Sequence, residues 1–465
     1  MMNGRETPAR DARTACDNQA DSTPSRLNLK GVRAFAWAVF LLLNAIYIIA
    51  CIQRTAVPGA VFNNLQGDFN LTASQVTWVS SIYTYIYGSA QILTGIAVDR
   101  FGGKKMGLMG GFFIAAGLLL LCFAKTPGEL YLSRGLTAFG NSFMYISIVK
   151  ISHLLFTPKQ YGGMISLSIA IGFLGTVLGT LPIRLCISLT TGVGWLGWRT
   201  SFMALGVLCL VISICSTFIL RALKERPKKS SVVTWKTFCN LFNRRGRFCY
   251  TTGIFWGYPV YFLMQSVIGQ KFMQDHLGLT PDRAAVFTLI LTLMSVVLCL
   301  IGVPVARRFP GNRRKPIVWL SAFALTVSVV MMFAGVYYHL PACVFYAAFA
   351  ILALDQFATA AMGFLMIEIQ DPRTIAFGAA VRNCLPYVGA GAASCVSGLI
   401  LNHFVKATTL NEEGQAVVTY LDEGYIWVLV FAFVLSILNL IVTWGIPETY
   451  GKRYYEYTDE EKASA

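Results

Sequence analysis

Charge is what this chain has least of. Only 13% of its 465 residues are Asp, Glu, Lys or Arg, while 55% are hydrophobic. A water-soluble domain cannot cover that much apolar surface, and the length leaves room for about a dozen spans of about 20 residues each. Histidine is scarce too: four residues, scattered, offer no metal cluster. The twelve cysteines include no C-x-x-C pair and fall mostly in apolar runs. They read as small packing residues, not as disulfides or metal ligands. No Walker A sequence and no plausible catalytic triad occurs, so ATP drive and enzymatic chemistry are not expected. No cofactor is expected either. Residues 1–31 are polar, with Pro8 and Pro24 and no apolar h-region. We expect a disordered cytoplasmic tail there (residues 1–32), without signal peptide or lipid anchor.

What is present is a series of apolar runs. Twelve candidate spans lie at about 34–56, 76–98, 106–124, 130–153, 161–185 and 199–221, then 250–270, 284–306, 316–338, 342–368, 375–402 and 425–446. The interruption from Arg221 to Arg247 carries nine Lys/Arg against Glu225 alone. It divides the spans six and six: an N-terminal half at 33–221, a basic linker at 222–248, a C-terminal half at 249–448 and a tail at 449–465. The formal charge of +16 would suit nucleic acid, but the bases cluster between apolar runs. The positive-inside rule accounts for them: the linker, Arg100 to Lys105, Lys159, Arg307 to Lys315, Arg373 and both termini belong in the cytoplasm. Loops on the other side are poorer in bases, and the one between spans 11 and 12 carries Glu412, Glu413, Asp422 and Glu423. No nucleic-acid partner follows; membrane lipid does, in a plasma or inner membrane, for a monomer.

Between spans 2 and 3 stands GIAVDRFGGKK, Gly95 to Lys105. Gly95 lies one helical turn before Asp99, a spacing that suits a close helix crossing. Gly102 and Gly103 permit a tight turn. Asp99 can accept hydrogen bonds from amides at a neighbouring helix start or from a base, and so latch helices, while Arg100, Lys104 and Lys105 hold the cytoplasmic side. The stretch resembles the loop 2–3 signature of the major facilitator superfamily, G-x-x-x-D-R-x-G-x-[RK]-[RK], at every defined position. GVPVARRFPGNRRK, from Gly302, repeats its layout with Ala306 in place of Asp99. Gly197, Trp198, Arg199 and Phe202 resemble a G-W-R-x-x-F that precedes span 6 in many members. The resemblance implies an all-α integral membrane protein of 12 transmembrane helices in two pseudo-symmetric six-helix halves, with a substrate site between them. The missing second Asp suggests a stronger latch in the N-terminal half.

An ionisable group in hydrocarbon costs about 2.5–3.5 kcal/mol on insertion scales, so each needs a reason. Arg54 follows about twenty uncharged residues of span 1. In the organophosphate and organic-anion transporters that this layout resembles, an Arg in span 1 grips the anion in the central cavity. Its planar fork binds carboxylate or phosphate bidentately. The alternative is an Arg snorkelling to the outer interface. Tyr83, Tyr87 and Gln91 make a polar-aromatic stripe on span 2 at helical spacing, and Tyr258, Tyr261 and Gln265 do the same on span 7. Both stripes serve either a ligand or helix packing. Phosphate antiporters resembling this layout carry a second Arg where Tyr261 stands, which counts against an organophosphate.

Asn141 shares a face of span 4 with Arg134, which resembles an Arg found there in many members. Lys150 is on the opposite face near the cytoplasm and is expected to snorkel. In span 11, Arg382 and Asn383 could meet substrate, or Arg382 could pair with Asp355 of span 10, a candidate coupling residue. The glycines of span 5, Gly172, Gly175 and Gly179, with Pro182, suit close helix crossing but lack the drug-antiporter pattern. PETYGK, from Pro447, resembles the ending of sugar porters, whose other signatures are absent. We therefore expect a secondary transporter of a small organic anion, most simply a carboxylate, working by alternating access. It would be coupled to a proton, a sodium ion or a counter-anion. Alternatives are a sugar porter-like carrier of a neutral solute and a transporter-derived receptor.

Overall fold

The computed structural model describes residues 29–190, 197–223, 225, 235–370, 375–410 and 416–452. Lys159 lies in a helix there, with its side chain undescribed; Arg373, Glu412, Glu413 and most of both terminal tails fall outside. The first half contains α1 (Leu29–Ala56), α2 (Phe62–Phe69), α3 (Ala73–Phe101), α4 (Gly103–Phe123), α5 (Pro127–Leu155), α6 (Pro158–Leu178), α7 (Leu181–Thr190) and α8 (Arg199–Leu220). A short α9 (Trp235–Asn240) lies in the linker. The second half contains α10 (Arg245–Phe262), α11 (Gly269–Leu277), α12 (Pro281–Arg308), α13 (Lys315–Tyr337), α14 (Ala342–Leu352), α15 (Ala358–Ile369), α16 (Ile375–Asn402) and α17 (Asp422–Trp444).

Local chemistry fixes several starts. Thr72 caps α3 and Thr126 caps α5, each reciprocated by a Gln75 or Glu129 side chain three residues on. Pro127, Pro158 and Pro281 open their helices at the position where no amide is needed. Among the described residues, eight helices are long and apolar enough to cross a membrane, or nine if the bent pair α6 and α7 is one span. Spans 2, 4 and 7 complete twelve as α3, α5 and α10–α11, whose Tyr, Gln, Asn and Arg side chains dilute their hydropathy.

Three expected spans are broken. Span 5 bends by 45° between α6 and α7. Span 7 passes through a wide turn at Leu263–Val267, and span 10 through a tight one at Ala353–Phe357, which holds Asp355. The expectation of an all-α chain needs one amendment, because Val405–Leu410 and Ala416–Tyr420 pair as an antiparallel hairpin between α16 and α17. That hairpin marks one face of the molecule; the turn at Gly102 and the Arg313–Lys315 segment mark the opposite, basic face.

Helices α3 and α16 join the two halves. Ser81 donates to the Gly391 carbonyl at 2.9 Å, and Asn402 donates to Ser74 at 2.7 Å. Near the hairpin face a Cβ on Gly398 would stand 2.0 Å from Thr77 Oγ1, so only glycine permits this approach. Gly172, Gly175 and Gly179 cross α1 closely, against Tyr47, Ile48 and Ile52, as their spacing predicts.

Candidate functional site

Arg54 ends α1 in the interior, half-buried, and reaches both halves. It donates from Nη1 to the Tyr387 hydroxyl and from Nη2 to Thr176 Oγ1, each at 3.4 Å. No ion pair to a carboxylate is formed by Arg54 among the described residues. The Tyr387 ring stands edge-on to Tyr87 at 4.6 Å and to Tyr258 at 5.4 Å, and Tyr87 stacks on Tyr83 at 6.0 Å. Arg54 thus faces phenol rings and hydroxyls, a surface that offers orientation without competing negative charge.

Tyr387 and Tyr258 also line a cavity of about 300 Å³ in the second half. Its wall includes Asp355, Arg382, Asn383 and Asn439. Arg382 lies over the Tyr250 ring at 4.9 Å, and its buried Nε has no partner. The Asp355 carboxylate accepts from Gln356 Nε2 at 3.2 Å. Asp355 and Arg382 share the cavity yet form no ion pair, so direct pairing does not hold in this conformation. The break at Ala353–Phe357 sends the carboxylate into the cavity alone.

Other expected site residues face their own half. Tyr261 donates to Ser295 Oγ at 3.0 Å and accepts from Gln265 Nε2 at 2.8 Å, while Gln265 also donates to Thr292 at 3.1 Å. Both are buried and satisfied between α10 and α12, which fits the packing reading. Asn141 donates to the Tyr83 hydroxyl at 2.6 Å. Gln91 is buried. Arg134 lies fully buried over the Tyr83 ring at 4.5 Å, donating to Gln53 and, at 3.1 Å, to the Val57 carbonyl. It therefore clamps the end of α1 on either side of Arg54.

The basic face corrects several expectations. The amides that open α4, Gly103 N and Lys104 N, donate to Glu225 at 2.7 and 3.0 Å, not to Asp99. Gly102 adopts φ +94°, a backbone conformation that favours glycine, and the Glu225 carboxylate lies 2.7 Å from where a Cβ would stand. Of its two expected partners Asp99 takes the base, pairing with Lys150 at 3.3 Å; Lys150 also donates to the Val98 carbonyl at 2.7 Å and lies 3.9 Å from Glu225. Lys150 therefore does not snorkel freely. Lys104 Nζ donates to the Leu223 carbonyl at 3.2 Å, while Arg100 and Lys105 are exposed. Gly95 has nothing within 4 Å of where its Cβ would stand, so no helix crosses there.

The second half repeats the device with more charge. Glu448 of PETYGK accepts from Arg314 N at 2.7 Å and pairs with Arg313 at 3.4 Å, and Glu368 stands 3.6 Å from Arg314. The expectation of a stronger N-terminal latch fails, because α15 and the segment after α17 supply the acids that α12 lacks. Sequence reasoning missed Tyr387, Thr176, Glu225, Glu368 and Glu448 as site-building residues. Signals existed for three: Glu225 is the lone acid of a basic linker, Tyr387 lies one turn from Asn383, and Glu448 sits inside a family-like ending.

Broken helices surround a cavity in the second half, Arg54 stands at the seam between the halves, and comparison with known sequences decides the family. The family model described as Major Facilitator Superfamily matches residues 43–394. The chain belongs to that superfamily. Members are transporters, and this one is a multi-pass membrane protein. Human monocarboxylate transporter 6 is 28% identical over 201 residues, which cover 43% of this chain and 37% of that protein. An uncharacterized transporter of Bacillus subtilis (strain 168), YybO, is 29% identical over 178 residues, 38% of this chain and 39% of that one. The aligned stretches thus span about two fifths of these relatives' length. In fold, the chain is similar to a bacterial homologue of the human lysosomal transporter Spinster in an inward-facing, unoccupied conformation. That match has a TM-score of 0.71 at 15% identity and covers 92% of this chain and all of that one. The D-xylose-proton symporter superposes with a TM-score of 0.68 at 15% identity, covering 90% and 99%.

Proposed function

We propose that this superfamily member moves a small organic anion, a carboxylate, held by Arg54 between the two halves. One observation carries the reading: Arg54 reaches across the interface to Tyr387 with no carboxylate paired to it. An unpaired cation in a low-dielectric interior is expensive, and a carboxylate would supply the missing partner only when substrate is bound. The charge-assisted fork also explains why arginine stands there rather than a neutral residue. Monocarboxylate transporters among the sequence relatives agree with this class.

The positive-inside rule orients the carrier with its basic face in the cytoplasm and both termini there, in the plasma or inner membrane. Asp355, the acid of the cavity, is the coupling residue, taking up a proton as the anion loads. Arg382 and Asn383 receive the anion on its way to the basic face. Asp99, Lys150 and Gly95 form the latch that closes that face in the alternate conformation. The test is uptake of a labelled monocarboxylate by proteoliposomes of the full chain. Uptake that Arg54→Ala abolishes supports the reading. Binding of a neutral sugar with affinity unchanged in Arg54→Ala would overturn it.

A further inference from the structure

The chain that leaves Arg54 does not run straight to α3. It turns at Gly59–Val61 and lays α2 across the hairpin face. Asp68 ties it to its own half, accepting from Trp198 Nε1 at 2.8 Å and pairing with Arg199 at 3.0 Å, and three further groups are tied elsewhere. The Ala60 carbonyl accepts from Arg184 Nη1 at 3.1 Å; that Arg184 also pairs with Asp282 at 3.0 Å, joining α7 to α12 of the other half. Asn63 donates to Gln274 Oε1 of α11 at 2.8 Å. Gln66, 2% exposed, donates to the Tyr420 hydroxyl at 2.6 Å.

The receiving platform is rigid. Asp275 and Lys271 pair at 2.9 Å with side chains 2% and 1% exposed, and Asp275 also accepts from the Tyr425 hydroxyl at 2.7 Å and from Tyr420 N at 3.2 Å. Tyr420 is therefore fixed by its backbone and presents its hydroxyl to Gln66. A buried ion pair that is also hydrogen-bonded is costly to build and holds its members in one geometry. The polar ties between the halves named here lie between the level of Arg54 and the hairpin face. None lies on the basic face, where Gly95 stands clear.

We propose that the segment Gly59–Phe69 is the gate of the hairpin face, and that Gln66 is a positioning residue holding it shut on Tyr420. Because the same segment is the direct continuation of the helix that carries Arg54, movement of that helix end on loading or release is transmitted to the gate without an intermediate element. The inference needs only that the protein is an alternating-access transporter. It stands or falls separately from the identity of the substrate.

The experiment uses the purified full chain in detergent, carrying Thr77→Cys as reporter. Thr77 is wholly buried against Gly398 near the same face, so a cysteine there reacts with N-ethylmaleimide only when the seam opens. Mass spectrometry of that peptide separates it from the native cysteines. Gln66→Met or Tyr420→Phe should each raise the labelling rate about five-fold, the effect of one net hydrogen bond on a closed-to-open equilibrium. The double variant should be no faster than either single, because both remove one bond. Should Gln66→Met not fold, Tyr420→Phe against Tyr425→Phe carries the test. Tyr425 binds the platform but not the gate, so only Tyr420→Phe should open the seam. Unchanged rates, or single effects that add in the double variant, would overturn the proposal.

Discussion

Arg54 and Glu225 show how differently single charges serve this chain. Arg54 has its donors on a phenol and a hydroxyl at 3.4 Å, contacts that a stronger acceptor can displace. Replacing it by lysine keeps the charge and loses the planar fork. Arg54→Lys is expected to raise the KM for a labelled monocarboxylate at least about ten-fold, the value of roughly 1.4 kcal/mol of lost charge-assisted bonding. Uptake with an unchanged KM would remove the bidentate grip. Glu225, by contrast, is engaged on every side, capping two amides of α4 and standing beside Lys150. Glu225→Ala leaves orphan donors at a helix start and should cost about 1–3 kcal/mol of stability. A thermal melt of the purified protein checks it; an unshifted midpoint would show that water replaces the cap at no cost.

Among the elements, α3 and α16 form the seam between the halves. Their contact is tight at Gly398 and Gly88 and absent at Gly95. A side chain at Gly95 meets nothing in the conformation described, yet would obstruct a crossing at the basic face in the other one. Gly95→Leu is therefore expected to leave folding intact and to slow transport by an order of magnitude or more, measured as turnover at saturating substrate. Normal turnover in a well-folded Gly95→Leu would show that no crossing forms there. The break in span 10 places Asp355 in the cavity with Arg382, unpaired. If the two charges balance only during turnover, Asp355→Asn with Arg382→Gln should transport better than either single variant. A double variant no better than the singles would separate their roles.

At the scale of the whole molecule, the proposed anion influx would have to work against the membrane potential. A monoanion entering a negative-inside cell faces about 2.3 kcal/mol per 100 mV. Under the proposed carboxylate reading, proton co-transport through Asp355 would remove that cost, since the loaded carrier would then move no net charge. Uptake into proteoliposomes should rise with an inward proton gradient and ignore an imposed potassium diffusion potential. Asp355→Asn should lose the gradient response. Wild-type uptake that follows the potential and ignores pH would assign coupling elsewhere.

The sequence by itself determined the membrane location, the division into six and six spans, the loop 2–3 turn and Arg54 as the outstanding charge. These follow from composition, local periodicity and short-range motifs, which act within a few turns of chain. It also exposed the tyrosine stripes without deciding their use, because one helical face can serve a neighbour or a ligand equally well. The tertiary structure alone decided that Tyr258 and Tyr387 line the cavity while Tyr261 and Gln265 bond within their half. It gave the amide cap to Glu225 rather than Asp99, and it kept Asp355 and Arg382 apart. The hairpin-face gate belongs to this second group: Gln66 and Tyr420 are 354 positions apart in the chain, and only the packing of two halves brings them to 2.6 Å.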